Sequence, residues 1–380
     1  LNAVELTTAL KAKAAELGFA LCGACPAISP PGAARLREWL AAGYAGEMHY
    51  LSDRAAAYEH PGSVLAGVQS LLMLGLPYRT VESAKVAAGQ GRISRYAWGP
   101  ADYHDVIHDK LHALADYLRA LSPLAKVRGV VDTAPLLERE FAQLAGLGWV
   151  GKHTLLIHRE RGSWFFLAAL LTDLPLAYDT PFATDHCGTC TACLDACPTD
   201  AFPAPYVLDA TRCISYLTIE LRNAIGLELR EGLGDWLFGC DICQDVCPWN
   251  RKSPATNEAP FMPEPEQNPV NLSELFALDD GAFRERFRHT PLWRSKRRGI
   301  LRNAALVLGN QRDPNAFAPL VAGLNDSEPL VRGASAWALG QLNISAAQTA
   351  LVARRRQETE PEVLTEIDRA LGQSSSGDGE

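Results

Sequence analysis

An α+β domain, a two-cluster iron–sulfur segment of bacterial-ferredoxin type and an all-α solenoid of HEAT type are predicted in that order along this chain, and three observations predict them. Residues 1–180 mix helical periodicity (4–17, 103–121, 135–147) with short β-like runs (19–24, 70–76, 127–131, 164–172). Eight of the ten cysteines fall between 187 and 247. Further on, Leu308-Gly309, Leu339-Gly340 and Leu371-Gly372 recur at intervals of 31 and 32 residues, each closing an Ala-rich apolar helix.

The first domain is expected over 1–180. Its longest apolar runs, LLMLGLP and WFFLAALL, have strand length and are too short to span a bilayer. Cys22 and Cys25 form a CxxC inside FALCGACPA and read as packed, structural thiols. Gly146, Gly148 and Gly151 in GLGWVGKHT satisfy GxGxxG, but a helix precedes them and a strand follows, the reverse of a dinucleotide site. A phosphate loop is declined as well, because His153 follows Lys152 where Ser or Thr is needed. Asp132 ends the run VRGVV just before Thr133 and Pro135. Periodicity alone makes it the N-cap of a helix starting near Pro135; its place at the mouth of a sheet also suits ligand chemistry.

The second domain is expected over 181–250. Cys187, Cys190, Cys193 and Cys197 before Pro198 spell CxxCxxCxxxCP, the ligand run of a ferredoxin with two [4Fe–4S] clusters. Cys240, Cys243 and Cys247 before Pro248 repeat it without a leading cysteine, and Cys213 is the substitute. Because the last cysteine of each run crosses to the other cluster, one set is Cys187, Cys190, Cys193 and Cys247. The other is Cys197, Cys213, Cys240 and Cys243. This spacing suits cubanes better than paired zinc sites, and the long cysteine-poor flanks do not suit a disulfide scaffold.

Residues 251–275, rich in proline and polar side chains, read as a linker; 276–372 form the solenoid and 373–380 a disordered tail. The formal charge is −8 and the pI near 5.7, which argues against wholesale nucleic-acid coating. Within that acidic average, Arg284, Arg286, Arg288, Arg294, Lys296, Arg297, Arg298 and Arg302 crowd one stretch, interleaved with Phe287, His289 and Trp293. Such a dense run joined to a solenoid points to phosphate-backbone contact. A monomeric cytoplasmic protein with no membrane segment is expected.

Taken together, VDTAPLLER, GLGWVGKHT, CGTCTACLDACP, CISYLTIE and CDICQDVCPWN closely resemble the epoxyqueuosine reductase family, and the likeness covers essentially the whole chain. The resemblance implies a cobalamin bound on the α+β domain, itself related to that of reductive dehalogenases, and electrons relayed to it through both clusters. It implies Asp132 as proton donor, and Ser215, Asp241, Arg95 and Tyr96 as residues approaching the cobalamin. The implied partner is tRNA carrying epoxyqueuosine at the wobble position, gripped by Arg294, Lys296, Arg297, Arg298 and Arg302. An external donor of flavodoxin or ferredoxin type would supply the electrons. Two other readings remain open here: a dehalogenase-like enzyme acting on a small molecule, and a non-enzymatic electron carrier with a solenoid docking arm.

Overall fold

The computed structural model describes residues 1–374, with side chains to 372. The expected disordered tail, 373–380, lies outside the described residues except for the backbone of 373 and 374, which continues the last helix. The chain divides into two compact units that cut across its linear segments. Leu1–Thr80, Ala101–Thr211 and Ile242–Phe261 form the first; Val81–Pro100, Arg212–Asp241 and the chain from Met262 form the second. The ferredoxin-type segment is therefore shared between the two, a division that no local pattern announced.

The first unit is built on a four-stranded antiparallel sheet. Its strands are β1 (Leu21–Pro26), β2 (Ser70–Pro77), β3 (Val127–Val131) and β4 (Phe165–Thr172), in spatial order β1-β2-β4-β3. All four were legible as apolar runs, and β2 and β4 are buried on both faces because helices cover both sides. Helices α1 (Ala3–Glu16) and α2 (Tyr103–Leu121) pack on one side. Gly129 makes room there, since a Cβ would meet Leu111 Cβ at 2.8 Å. On the other side Leu71, Met73, Val130 and Ala169 share a core with Phe141 of helix α3 (Glu138–Leu144). Cys22 and Cys25 lie on β1, where burial, the largest cause, pushes both thiols up to about 12 and holds them protonated.

The sequence expectation of a helix from 135 to 147, capped by Asp132, is corrected. Helix α3 starts at Glu138 and has no side-chain cap; Asp132 is bonded elsewhere. The glycines of GLGWVGKHT lead into a two-stranded ribbon, Trp149–Val150 paired with Leu156–Ile157. The stretch 251–275 is also no free tether. Thr256 donates its N–H to the Arg79 carbonyl and Glu258 pairs with Lys110, both within the first unit. In the second unit, Asn268 bonds to Ala84 and Glu82, and Val270–Asn271 adds a strand beside Gln90–Ile93.

Paired helices of the solenoid follow in the second unit: Lys296–Gln311, Phe317–Leu324, Pro329–Leu342, Ser345–Arg355 and Pro361–Ser374. The repeated glycines sit inside helices rather than ending them. A Cβ at Gly309 would lie 2.6 Å from the Trp337 ring, and one at Gly340 would lie 2.8 Å from Ala370 Cβ. Each glycine thus lets one repeat's helix touch the next. Among the described residues no helix is long and apolar enough to cross a membrane.

Arg302, expected on the basic surface, is instead 1% exposed. Its guanidinium donates to the carbonyls of Leu221 (2.9 Å), Asn223 (2.7 Å) and Leu217 (2.6 Å) and to Asn303 Oδ1, so nothing of it is left for a phosphate. Burial is tolerated because every donated bond has a partner. Arg302→Met should leave those carbonyls unpaired and cost about 2–4 kcal/mol of stability, read as a lower urea midpoint than wild type.

Candidate functional site

Asp132 leaves the end of β3 and meets the first turn of α2. The sequence ADYHDV sets that turn: Asp102 caps it by accepting the His104 backbone N–H at 3.0 Å. The same cap carboxylate contacts His104 Nδ1 at 2.6 Å, while His104 Nε2 contacts Asp132 Oδ1 at 2.6 Å. Tyr103 donates its hydroxyl to the other Asp132 oxygen, and its ring stacks on Phe166 of β4, centroids 4.3 Å apart and planes 7° from parallel. Two short contacts flank one imidazole, so two protons are shared among Asp102, His104 and Asp132. The arrangement couples one imidazole to two carboxyl groups, and that of Asp132 remains 48% exposed.

Asp132 also lines a cavity of about 700 Å³ in the first unit. Leu36, Trp39, Met48, Tyr58 and Leu136 supply apolar wall, and Glu138 and Arg139 bring charge. Glu138 Oε1 is cut off from solvent and has no hydrogen-bond partner. Burial, followed by the nearby Asp132 carboxylate, pushes the Glu138 carboxyl up to about 8, although its own backbone N–H and Arg139 oppose the rise. Arg139 is exposed beside it, its guanidinium donating to the Thr154 carbonyl at 3.0 Å. Asp102, Tyr103, His104, Glu138 and Arg139 were all missed from the sequence. Asp102 was readable as a cap before the amphipathic 103–121; that its helix turn faces Asp132 was not.

Four thiols converge elsewhere in the first unit. Burial and then the fields of Cys247, Cys187 and Cys190 push the Cys193 thiol up to about 11. Cys247 is raised by burial and by Cys187 and Cys190, against nearby backbone N–H groups. These sulfurs sit close enough to repel one another as thiolates, a conflict that bound cations relieve. The short helices Ala192–Asp195 and Ile242–Asp245 carry Cys193 and Cys243 and pack together. Of the remaining thiols, Cys197 belongs to this unit, and Cys213 and Cys240 to the second.

In the second unit the structure brings Arg95 and Asp241 together. The Arg95 backbone N–H reaches Asp241 Oδ2 at 2.9 Å and its guanidinium at 3.2 Å, with Ser94 on the other oxygen. Both are buried, at 5% and 1% exposure, so the pair holds this loop. Tyr96 is half-buried near Phe238. Ser215 lies in the short helix after Cys213, and that helix accepts the Gly239 N–H at Thr218. Among the basic residues, Arg298 is exposed, Lys296 lies 4.1 Å over the Trp293 ring, Arg294 is half-buried and Arg297 pairs with Asp326. Arg284, Arg288 and His289 line an open recess of about 360 Å³ on the same unit.

Comparison with known proteins finds three family models along the chain. One described as "Epoxyqueuosine reductase QueG, DUF1730" matches residues 59–133, "4Fe-4S double cluster binding domain" matches 186–250, and "HEAT repeats" matches 293–372. An epoxyqueuosine reductase of Xanthomonas campestris pv. campestris is 41% identical over 338 residues, covering 87% of this chain and 95% of that protein. The Escherichia coli K12 enzyme is 37% identical over 341 residues, covering 89% of each. A crystal structure of epoxyqueuosine reductase with a tRNA-Tyr epoxyqueuosine-modified stem loop matches with TM-score 0.91 at 31% identity, covering 98% of this chain and 100% of that one. The Bacillus subtilis enzyme, solved with its catalytic aspartate loop swung out of the active site, matches at TM-score 0.90 and 31% identity, with the same coverage.

The Glu138 carboxyl has a thermodynamic signature. Folded protein keeps its proton to about pH 8, whereas the unfolded chain loses it near 4.5. Its contribution is fully present below 4.5 and is lost as pH rises toward 8. Glu138→Gln should match wild type in urea unfolding at pH 4.5 and exceed it at pH 8.

Proposed function

The chain belongs to the epoxyqueuosine reductase family, and from that premise we propose how its residues divide the work of reducing epoxyqueuosine to queuosine in tRNA. The reaction takes an epoxide, two electrons and two protons to an alkene and water. Asp132 gives the proton to the epoxide oxygen as its C–O bond breaks. His104, fed in turn by Asp102, restores that proton, and Tyr103 keeps the carboxyl aimed. The single observation that carries this reading is the Asp132 carboxyl held by His104 and Tyr103 while it lines a 700 Å³ cavity. Glu138, protonated at neutral pH, adds no negative charge beside it.

Two [4Fe–4S] clusters supply the electrons. The mutual fields of Cys187, Cys190, Cys193 and Cys247 support the first ligand set, and their all-thiol donor chemistry fits a cubane. Cys197, Cys213, Cys240 and Cys243 are the thiolates the ligand runs leave for the second. Cobalamin fits the cavity by its chemistry, since its apolar wall suits a corrin face and the charged and tyrosine side chains around it suit the corrin's peripheral amides. When bound, it supplies a low-valent cobalt able to deliver two electrons to the substrate. Asp132, Leu36, Trp39 and Arg139 are the residues placed to hold it on the first unit. On the second, Ser215, Tyr96 and the loop held by Arg95 and Asp241 stay candidates for it. Lys296, Arg298 and Arg294, with Arg284 and Arg288, grip the tRNA backbone, and a flavodoxin- or ferredoxin-type donor feeds a monomer working in the cytoplasm.

Asp132→Asn tests the assignment, because the amide keeps the shape and donates no acid proton. Anaerobic assay of the cobalamin- and cluster-loaded protein on epoxyqueuosine-containing tRNA, followed by nucleoside analysis, should show conversion lowered by about 100-fold or more, with iron and cobalamin content unchanged. Unchanged conversion would remove Asp132 from the mechanism. His104→Gln should fall between wild type and that variant.

A further inference from the structure

The ribbon that carries GLGWVGKHT lies against the first thiol set. Trp149, at its start, is 1% exposed and packs with Ile157 and Cys247, and with partly buried Cys187, Phe182 and Trp249. Its ring meets Trp249 and His186 edge-on, both at 4.9 Å between centroids, and stacks on Phe182 at 5.5 Å. These four rings wall one side of the thiols from water. Yet the Trp149 indole Nε1 is buried with no hydrogen-bond partner. An orphan of that kind calls for an explanation, and an acceptor that arrives with a ligand is one.

Cys187 is where such an acceptor would form. Cys187 packs against the cluster built on Trp149 and becomes a thiolate when it ligates iron, an acceptor beside an indole N–H that has no other partner. Lys152 adds a cation in the same loop, its ammonium donating to the carbonyls of Gly188 at 2.7 Å and Cys190 at 2.9 Å.

We propose that Trp149 is a positioning residue for the first [4Fe–4S] cluster, its indole N–H bonding the Cys187 sulfur of the bound cluster and raising that cluster's reduction potential. The proposal rests on the ligand set assigned above. Reduction adds one electron to a cluster held by four thiolates, and a donor aimed at a thiolate sulfur favours the more negative state. Water exclusion by the ring wall acts the other way. Replacing Trp149 with Phe removes the N–H while keeping an aromatic ring, so it isolates the hydrogen bond from the wall.

The test is an anaerobic redox titration of the full-length, cluster-loaded protein followed by electron paramagnetic resonance. In Trp149→Phe, one cluster should show a several-fold lower reduced-to-oxidised ratio at fixed potential, a tenfold change being 59 mV for one electron, with the other cluster unmoved. Equal potentials in loaded wild type and variant overturn the inference and leave the cluster reading standing. A wild type that takes up no cluster overturns both. Should the variant fail to load, wild type carrying 15N-indole tryptophan decides the matter: a 15N coupling to the reduced cluster in pulsed resonance supports the contact, and its absence overturns it.

Discussion

Bringing Cys187, Cys190, Cys193 and Cys247 into one another's field is the constraint on which the cluster-bearing part of the molecule depends. Cys193 and Cys247 are buried, and burial together with the neighbouring sulfurs makes these two thiols resist ionisation, so the polypeptide alone has little reason to gather them. Packing of Ala192–Asp195 on Ile242–Asp245 brings the two cysteine runs together across some fifty residues of chain, and a bound cluster turns the repulsion into coordination. The aromatic wall of Trp149, Phe182, His186 and Trp249 and the Lys152 clamp follow from that need, because a cluster's potential is set by what surrounds its sulfurs.

The acid site answers a different demand. A carboxyl that is to give up a proton must be refilled and must stay aimed while half in solvent. The first turn of α2 sets consecutive residues, Tyr103 and His104, on the two oxygens of Asp132, and Asp102 both caps the turn and contacts the imidazole. One local stretch thus supplies both the cap and the two contacts to Asp132, because the turn it starts meets the residue that ends β3. Glu138, close by, stays neutral at physiological pH through burial and the Asp132 charge.

Much of this was legible in advance. Strand and helix positions of the first unit matched the apolar periodicities within a few residues, and the solenoid period announced its repeat. The errors fell where long-range packing overrides local pattern. Pro135 suggested a helix start, but Ala134, Leu136 and Phe141 are drawn into the core beneath the sheet and the helix begins only at Glu138. Arg302 read as one more surface cation, yet it is the buried anchor of its helix, since three carbonyls and Asn303 take all it can donate. The Leu-Gly pairs read as helix ends, and two of them, at Gly309 and Gly340, prove to be points where neighbouring helices touch.

By itself the sequence determined the order of elements, the presence of a 4Fe-4S binding segment and of an acid at the end of β3, because periodicity and cysteine spacing are properties of neighbours along the chain. Only the tertiary structure decided that Asp132 answers to Tyr103 and His104, which basic residues face solvent, and that Trp149 is packed with Cys247 and Cys187 while its indole nitrogen lacks a partner. Those are distances through space between groups distant in sequence, and they are set by how the sheet, the helices and the ribbon pack.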